Sequence, residues 1–488
     1  MIVVVLSALM SMAAECVQAE GRMPKLVVGI VVDQMRWDYL ERYAGRWGEG
    51  GFRRLMEEGY GYDNAYLCYV PTVTAVGHAS VYTGTTPAIH GIAGNNFFVD
   101  GRKCYCTDDH EVRTVGTDTR AGEMSPRNLL STTIGDQLKL ACEGAKVIGV
   151  SLKDRAAILP AGHSADAAYW FDTSAGMFIT SSYYMDRLPA WVDEFNRSHR
   201  VKSDMRYSPD GITLTADMAI AAIEGERLGQ RNVTDMLAVS FSSTDYVGHK
   251  YGTRAPETEA VYKRVDEELR RILDCLDSKV GRGKYLLFLT ADHAAAHNAQ
   301  ELAARNIPAG TWSEDGALRD ANEYLKKTFG TERELVKALI EYRFYIDRVA
   351  VAEAGLSFDK VKAALRERLE SDPCVMACID YSSVKKETLP PAVLDRIVMG
   401  YNRKRSGDLM VVMQPGYYAF GATSFEHGTT HGVWNPYDSH IPLFFYGWNV
   451  GAGRSSEAVK VTDIATTVCA KLRIQQPNGS VGRVLVTR

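Results

Sequence analysis

Continuous apolar runs that end beside polar residues constrain the fold of this chain more than any other feature of its sequence. Residues 25–32 read KLVVGIVV, with no alternation of polar and apolar side chains. A run of this kind is typical of a strand that is buried on both faces of a parallel sheet. Further runs of this type occupy residues 146–150, 236–241, 285–290, 409–413 and 441–446. The sequence therefore predicts a buried, mainly parallel sheet.

Helical patterns lie between these runs. The clearest spans residues 257–277, where apolar residues recur along one face at Val261, Val265, Leu269, Ile272, Leu273 and Leu276. Strands that alternate with helices predict an α/β fold, in which a mainly parallel central sheet is flanked by helices on both faces.

The length of 488 residues allows one large core with insertions. Residues 295–405 separate two strand candidates and contain mixed elements of their own, such as an amphipathic stretch at 358–369. We therefore predict a single domain over residues 20–488 with an inserted subdomain at about 295–405. The net charge of −4 argues against a nucleic-acid partner held by a basic field.

The N-terminal segment, residues 1–19, is an apolar run that ends in Val17-Gln18-Ala19. This pattern predicts a secretory signal peptide cleaved after Ala19, and the run is too short to cross a bilayer comfortably. Cys16 does not indicate a lipoprotein anchor, because Glu15 is wrong for that cleavage site. We expect a soluble protein of the periplasm or the secreted fraction, with no stable membrane span.

Eight cysteines follow this predicted cleavage site. An even number in an exported protein permits disulfides, and Cys374 and Cys378 are a candidate local pair. The sequence leaves the connectivity and the oligomeric state open.

Acidic and imidazole side chains follow several of the predicted strands. The carboxyl ends of parallel strands meet at one edge of a sheet, where ligands bind. Taken singly, an Asp after a strand is often a helix cap and a His a core or surface residue. Together, three carboxylates and three imidazoles suit two zinc-like ions. The candidates are Asp33, Asp245, His249, Asp292, His293 and His431.

The stretch 71–95, PTVTAVGHASVYTGTTPAIHGIAGN, combines a hydroxyl with small residues that can open a helix. Free N–H groups at a helix start attract phosphate or sulfate. Thr74 alone has a simpler interpretation as a helix cap. A metal pair would make it a nucleophile, because a Thr hydroxyl is unreactive until its proton is taken up. Lys153 and Arg155 could then bind the outer oxygens of the transferred group.

As an ordered set, these motifs resemble the alkaline phosphatase superfamily, and most closely its threonine-nucleophile branch. That branch contains the PafA-type bacterial alkaline phosphatases and the nucleotide pyrophosphatases/phosphodiesterases. The resemblance implies an alkaline phosphatase-like α/β/α sandwich and two Zn²⁺ ions. It assigns one zinc to Asp33, Thr74, Asp292 and His293, and the other to Asp245, His249 and His431.

Within the same resemblance, Thr74 becomes phosphorylated and Asn95 contacts the phosphoryl group. The distance to Asn95 favours Thr74 over Thr72 as the nucleophile. The THG motif favours His431 over His427, which remains a second choice.

The Lys153-Asp154-Arg155 segment accompanies phosphate monoester hydrolysis in this family. The resemblance therefore implies an exported, zinc-dependent phosphate monoesterase that acts on small-molecule esters. A phosphodiesterase or nucleotide pyrophosphatase on the same metals is the alternative, and an inactive metal-binding exported protein is a more remote one. A sulfatase is not expected, because its Cys/Ser-x-Pro-x-Arg pattern is missing: residues Ala75 to His78 follow Thr74.

Overall fold

Four sheets organise the computed structural model, which describes residues 23–201, 204–420 and 427–487. The predicted signal peptide at 1–19 lies outside the described residues. In chain order, the strands are β1 (Leu26–Val32), β2 (Tyr60–Tyr66), β3 (Asn96–Val99), β4 (Arg102–Tyr105), β5 (Thr114–Val115), β6 (Val147–Ser151), β7 (Ala167–Asp172), β8 (Met177–Ser181), β9 (Asp235–Phe241), β10 (Tyr285–Thr290), β11 (Gly310–Trp312), β12 (Val336–Ile340), β13 (Arg343–Ile346), β14 (Val375–Asp380), β15 (Leu409–Met413), β16 (Tyr417–Ala419), β17 (His440–Gly447) and β18 (Gly453–Lys460).

The largest sheet has ten strands in the order β18-β2-β17-β10-β1-β9-β6-β7-β8-β5. Its five adjacent strands from β10 to β7 are mutually parallel, and β17 and β8 flank them in antiparallel pairings. Every residue of β1, β6, β9 and β10 is buried. The prediction of a mainly parallel buried sheet is therefore confirmed for the centre of a mixed sheet.

Helices connect these strands. They are α1 (Tyr39–Arg42), α2 (Phe52–Glu58), α3 (Thr74–Thr83), α4 (Pro87–His90), α5 (Ile134–Ala141), α6 (Asp154–Ala161), α7 (Ala190–Ser198), α8 (Asp210–Gly225), α9 (Ser243–Tyr251), α10 (Pro256–Leu276), α11 (Ala299–Ala303), α12 (Glu314–Phe329), α13 (Arg348–Glu353), α14 (Phe358–Glu370), α15 (Pro391–Gly400), α16 (Pro436–Ser439) and α17 (Asp463–Leu472). The predicted amphipathic helix at 257–277 corresponds to α10, whose six predicted face residues are all buried.

The helices pack on the central sheet in two groups. Helices α3, α5, α6 and α17 contact one another, and α7, α8, α9 and α10 form a second connected group. Helix α6 of the first group and α8 of the second both contact β6 and β9. The sheet is therefore covered by helices on both faces, as an α/β fold requires.

A second, four-stranded sheet in the order β12-β13-β15-β14 has its own apolar core. Helices α12 and α14 contact each other and pack on its strands. The apolar run 409–413 forms β15 of this small sheet, between β13 and β14, instead of a strand of the central sheet. The strands of the inserted unit therefore continue past the predicted boundary at residue 405, through β15 to β16, which ends at Ala419 and pairs with β11.

The candidate disulfide between Cys374 and Cys378 is wrong, because both residues are free thiols. Cys374 immediately precedes β14 and Cys378 lies within it. Four residues of extended chain span about 13 Å, which is far beyond the Cα separation of a disulfide. Within the described residues, no helix has the length and apolar character needed to cross a membrane.

Candidate active site

Four neighbouring parallel strands deliver polar residues to one edge of the central sheet. Asp33 follows β1 directly, and Asp292 and His293 come two and three positions after the end of β10. Lys153 follows β6, and Asp245 lies in the first turn of α9, just after β9. All five side chains are buried. The predicted convergence of these residues at the strand ends is therefore present in the structure.

One group of candidate metal ligands is Asp245, His249 and His431. Asp245 and His249 are four residues apart on α9 and therefore share a face, with His249 Nε2 3.1 Å from Asp245 Oδ1. The Nε2 atom of His431 lies 3.6 Å from the same oxygen. Backbone carbonyls accept hydrogen bonds from both Nδ1 atoms, Thr429 O at 2.8 Å from His249 and Thr72 O at 2.6 Å from His431. Both rings therefore present Nε2 to the site.

A second group surrounds His293. Its Nδ1 donates to Ala294 O at 3.0 Å, and its Nε2 lies 3.5 Å from Asp33 Oδ1 and 3.4 Å from Asp292 Oδ2. The ring stacks on that of His431, with 3.5 Å between the centroids, so the two groups adjoin. Burial, followed by the nearby His293, lowers the pKa of His431 well below its usual value. A neutral imidazole is the form that binds a metal ion.

Asp245 belongs to both groups. Its ligand oxygen lies within 4.8 Å of the ligand atoms of His249 and His431, and also of those of Asp33 and His293. The sequence motifs had placed Asp245 with one metal only. Because a carboxylate has two oxygens, Asp245 can face both groups from the junction between them.

The electrostatics of the buried carboxylates fit divalent cations. Burial and the neighbouring charge of Asp292 raise the pKa of Asp33 well above its usual value. Among the described residues, Asp33 Oδ1 and Asp292 Oδ2 are both buried without a hydrogen-bond donor. Lys153 Nζ lies 2.6 Å from both Asp33 Oδ2 and Asp245 Oδ2 and offsets part of the negative charge of the three carboxylates. Asp oxygens and His nitrogens are the ligands that zinc takes in proteins.

Thr74 lies against the second group. It is the first residue of α3, Val73 occupies the N-cap position, and no side chain of the described residues caps the helix. The simpler interpretation of Thr74 as a capping residue is therefore wrong. Its Oγ1 lies 3.4 Å from His293 Nε2, and the side chain is buried. The N–H groups of the first turn of α3, apart from that of Ala75, which donates to Asn95 Oδ1, lie beside this hydroxyl, as an anion site requires.

Asn95 lies beside the start of α3, and Arg155 lies at the start of α6. The Ala75 N–H donates to Asn95 Oδ1 at 3.0 Å, which leaves the Asn95 amide group as a donor. Arg155 is in the first turn of α6, and its Nη1 donates to the Tyr105 hydroxyl at 2.9 Å. A cavity of about 500 Å³ opens over the site, and its lining includes Asn95, His249 and His431. The second-choice ligand His427 is exposed and belongs to neither group.

Three residues around the site were not predicted from the sequence. His78 Nδ1 lies 3.3 Å from Asp292 Oδ2, and its spacing of four from Thr74 was the available signal. Gln34 directly follows Asp33 in the chain, and its side-chain amide donates to Asp245 Oδ1 at 2.7 Å. Glu341, from the inserted unit, accepts a hydrogen bond from Asn95 N–H at 2.9 Å. Local sequence carries no signal for this last contact.

The family model for type I phosphodiesterase/nucleotide pyrophosphatase matches residues 27–434 of this chain. This match spans every strand-end residue described above and both candidate ligand groups. The chain therefore belongs to that family, which is part of the alkaline phosphatase superfamily, as the motifs indicated. The superfamily is metal-dependent, in keeping with the candidate ligands at the strand ends.

Curated relatives align over nearly the whole chain. "Alkaline phosphatase PafA" of Elizabethkingia meningoseptica is 42% identical, with 94% of this chain and 93% of the relative covered. "Alkaline phosphatase PhoV" of Synechococcus elongatus is 41% identical, with coverages of 95% and 92%. A protein of Myroides odoratus named "Calcium-transporting ATPase" is also 41% identical, with coverages of 94% and 93%.

The fold matches a solved structure from the same family. The crystal structure of wild-type alkaline phosphatase PafA superposes with a TM-score of 0.91 at 42% identity, and 95% of this chain and 98% of that chain are covered. The two chains therefore share one fold over nearly their whole length. The predicted fold class is confirmed.

Proposed function

We propose that this chain is an exported, zinc-dependent phosphatase that hydrolyses small phosphate monoesters through a phospho-threonine intermediate. The position of Thr74 carries the proposal: its Oγ1 lies 3.4 Å from His293 Nε2 at the open start of α3. A buried hydroxyl beside carboxylates and imidazoles, and next to free N–H groups, combines a nucleophile with an anion site. The names of two relatives, PafA and PhoV, support phosphatase activity.

The proposed metal ligands divide between two ions as the resemblance to the family implies. Asp33, Thr74, Asp292 and His293 would hold one zinc, and Asp245, His249 and His431 the other. When bound, the ions supply positive charge, which lowers the proton affinity of nearby hydroxyl groups and offsets the charge that develops in phosphoryl transfer.

The side chains of this protein perform the transfer itself. Thr74 gives up its hydroxyl proton, and its Oγ1 forms a bond to phosphorus as the bond to the leaving oxygen breaks, with the two oxygens in line. The departing alkoxide takes up a proton and leaves as the alcohol. Water then cleaves the phospho-threonine, which releases inorganic phosphate and restores the hydroxyl. The Asn95 amide and the first-turn N–H groups of α3 other than that of Ala75, which donates to Asn95 Oδ1, donate hydrogen bonds to the phosphoryl oxygens throughout.

Lys153 and Arg155 support the choice of a monoester. A phosphate monoester dianion carries one more negative charge than a diester, and positively charged groups of the site have to offset that charge. Lys153 is buried beside Asp33 and Asp245. The guanidinium of Arg155 has a buried Nε without a hydrogen-bond acceptor among the described residues, so it retains donor capacity.

Phosphodiester hydrolysis is the second candidate, and the description of the matching family favours it. The two candidates differ in what Lys153 and Arg155 do. A comparison of kcat/KM on an aryl phosphate and on its methyl diester separates them. A large preference for the diester that survives removal of both basic side chains would overturn the monoesterase proposal.

The decisive test of the mechanism is Thr74→Ala, with zinc content measured on the same preparation. We expect a loss of about 10⁴-fold or more in turnover of an aryl phosphate, because no other hydroxyl replaces the nucleophile. Thr83→Ala is the matched control, since Thr83 lies in the same helix and its hydroxyl donates to Ala79 O at 2.7 Å. Near-normal turnover of the Thr74 variant with full zinc content would refute the nucleophile.

Export rests on residues 1–19, which lie outside the described residues. Expression of the full chain in a Gram-negative host, followed by fractionation and N-terminal sequencing, tests it. We expect periplasmic protein that begins at Glu20. Full-length protein confined to the cytoplasm would contradict the proposal.

A further inference from the structure

The hairpin between β12 and β13 brings the inserted unit to the active-site cavity. Its two turn residues, Glu341 and Tyr342, both line the cavity. Both have positive φ angles, 50° and 68°, in a turn position that usually takes Asn or Gly. Left-handed backbone at bulky residues persists only where the surroundings impose it, and it concentrates at functional sites.

Contacts from two directions hold this turn in place. The Tyr342 N–H donates to Glu314 Oε1 at 2.8 Å, and the Tyr342 hydroxyl accepts from Ala419 N–H at 2.8 Å. The phenol ring is buried. Tyr342 therefore anchors the turn within the inserted unit and leaves the Glu341 side chain facing the central domain.

Glu341 and Arg343 hold the segment that carries Asn95 through hydrogen bonds, which we call the Glu341 grip. Glu341 Oε1 accepts from Asn95 N–H at 2.9 Å, and Glu341 Oε2 accepts from Arg343 Nη2 at 2.8 Å. Arg343 is fully buried, and its Nη1 donates to Ala93 O. Gly94 permits this approach, because a Cβ there would lie 2.0 Å from Glu341 Oε2 and 2.4 Å from Arg343 Nη2.

The same segment is tied to the nucleophile helix. Asn95 Oδ1 accepts from Ala75 N–H at 3.0 Å, one residue after Thr74. A continuous chain of hydrogen bonds therefore runs from the inserted unit through Asn95 to the start of α3. The Arg343 guanidinium neutralises the Glu341 carboxylate, so this grip adds no net negative charge beside the phosphoryl group.

We propose that Glu341 is a positioning residue for phosphoryl transfer, which acts by fixing Asn95 against the start of α3 so that its amide meets the phosphoryl oxygens. The inserted unit is then part of the catalytic apparatus, since one of its turns sets the geometry of a substrate-binding group. This inference rests on the proposed function, in which Asn95 donates to the phosphoryl group. If Glu341 had a purely structural role and only docked the inserted unit, its removal would have the same effect with and without the Asn95 side chain.

A double-mutant cycle on the zinc-loaded enzyme tests it. Glu341→Ala should lower kcat/KM for an aryl phosphate by about 10- to 100-fold in the wild-type background, because even a small displacement of a group that binds the phosphoryl oxygens lowers the rate strongly. In the Asn95→Ala background the same substitution should change the rate by less than about twofold, since the group that it positions is gone. Affinity for inorganic phosphate, measured by calorimetry, should follow the same pattern.

The control is Glu353→Ala, which removes an exposed ion pair with Arg333 in the same inserted unit and should leave both readouts unchanged. Equal losses from Glu341→Ala in both backgrounds, or no loss in the wild-type background, would overturn the inference while the proposed function stands. An inactive wild-type enzyme would instead overturn the proposed function. If the Glu341→Ala protein does not fold, Gly94→Ala replaces it in the cycle, because a Cβ at residue 94 forces Glu341 and Arg343 away from the segment. The same outcomes then support or overturn the inference.

Discussion

Lys153 Nζ lies 2.6 Å from Asp33 Oδ2, and both side chains are buried. Burial lowers the pKa of Lys153, but the charges of Asp245 and Asp33 outweigh it and raise the pKa above its ordinary value. The lysine is therefore protonated at neutral pH. In the proposed function this positive charge, buried at the same edge of the sheet as Asp33, favours a substrate with a second negative charge.

Lys153→Ala should consequently change the substrate preference. We expect kcat/KM for an aryl phosphate to fall by about 10²- to 10³-fold, and that for its methyl diester by less than about tenfold, because only the monoester carries the extra charge. Lys139→Ala is the control. Lys139 lies away from the site, and its Nζ forms an ion pair with Asp166 Oδ2 at a distance of 2.8 Å. An equal fall for both substrates would show that Lys153 serves the ligand carboxylates alone.

Metal removal should destabilise the fold as well as abolish activity. Asp33, Asp245 and Asp292 are buried together, so chelation removes cations that offset their mutual repulsion and leaves Lys153 and the nearby histidines to offset it in part. We expect the thermal midpoint to fall by about 5 °C or more after chelation and to recover with zinc. An unchanged midpoint in enzyme shown by elemental analysis to be metal-free would contradict a buried metal centre.

Loss of one ligand should halve the metal content. His249→Ala should reduce bound zinc from about two ions per chain to about one, because four-coordinate sites tolerate few missing ligands. His110→Ala is the control, since the His110 side chain is 73% exposed and lies outside both ligand groups. Retention of two ions by the His249 variant would exclude His249 as a ligand.

The sequence predicted those parts of the site that follow from local pattern. Asp33 and Asp292 lie where buried strands end, and the four-residue spacing of Asp245 and His249 places them on one helix face. The grip of Glu341 on Asn95 joins residues 246 positions apart, and only the docking of the inserted unit creates it. For the same reason β15 could not be assigned from its sequence, because an apolar run does not say which core it enters.

Close packing of α3 against the end of β10 gives a prediction about the nucleophile's position. A Cβ on Gly77 would lie 2.1 Å from Asp292 O and 2.6 Å from Asp292 Cβ. Gly77→Ala should therefore push the helix that carries Thr74 away from Asp292, with a loss of stability of about 1–3 kcal/mol. We expect kcat to fall by about 10- to 100-fold. Gly45→Ala is the control, since no atom of the described residues lies within 4 Å of a Cβ there.

Glu314 should make the stability of the protein depend on pH. Burial, with a smaller contribution from the charge of Glu341, raises the pKa of Glu314 from 4.5 to about 7. Between these values the folded chain binds a proton that the unfolded chain has lost, so stability falls as pH rises through this window. The glutamine of Glu314→Gln cannot ionise, so the variant does not lose this stability. The difference in unfolding free energy, variant minus wild type, should therefore rise between pH 4.5 and pH 7 by about 2 kcal/mol. Chemical denaturation across this range measures the difference, and Glu353→Gln corrects for the loss of one negative charge from the inserted unit. A difference that stays constant, or that shrinks as pH rises, would show that the Glu314 carboxyl is not held in its neutral form by the folded protein.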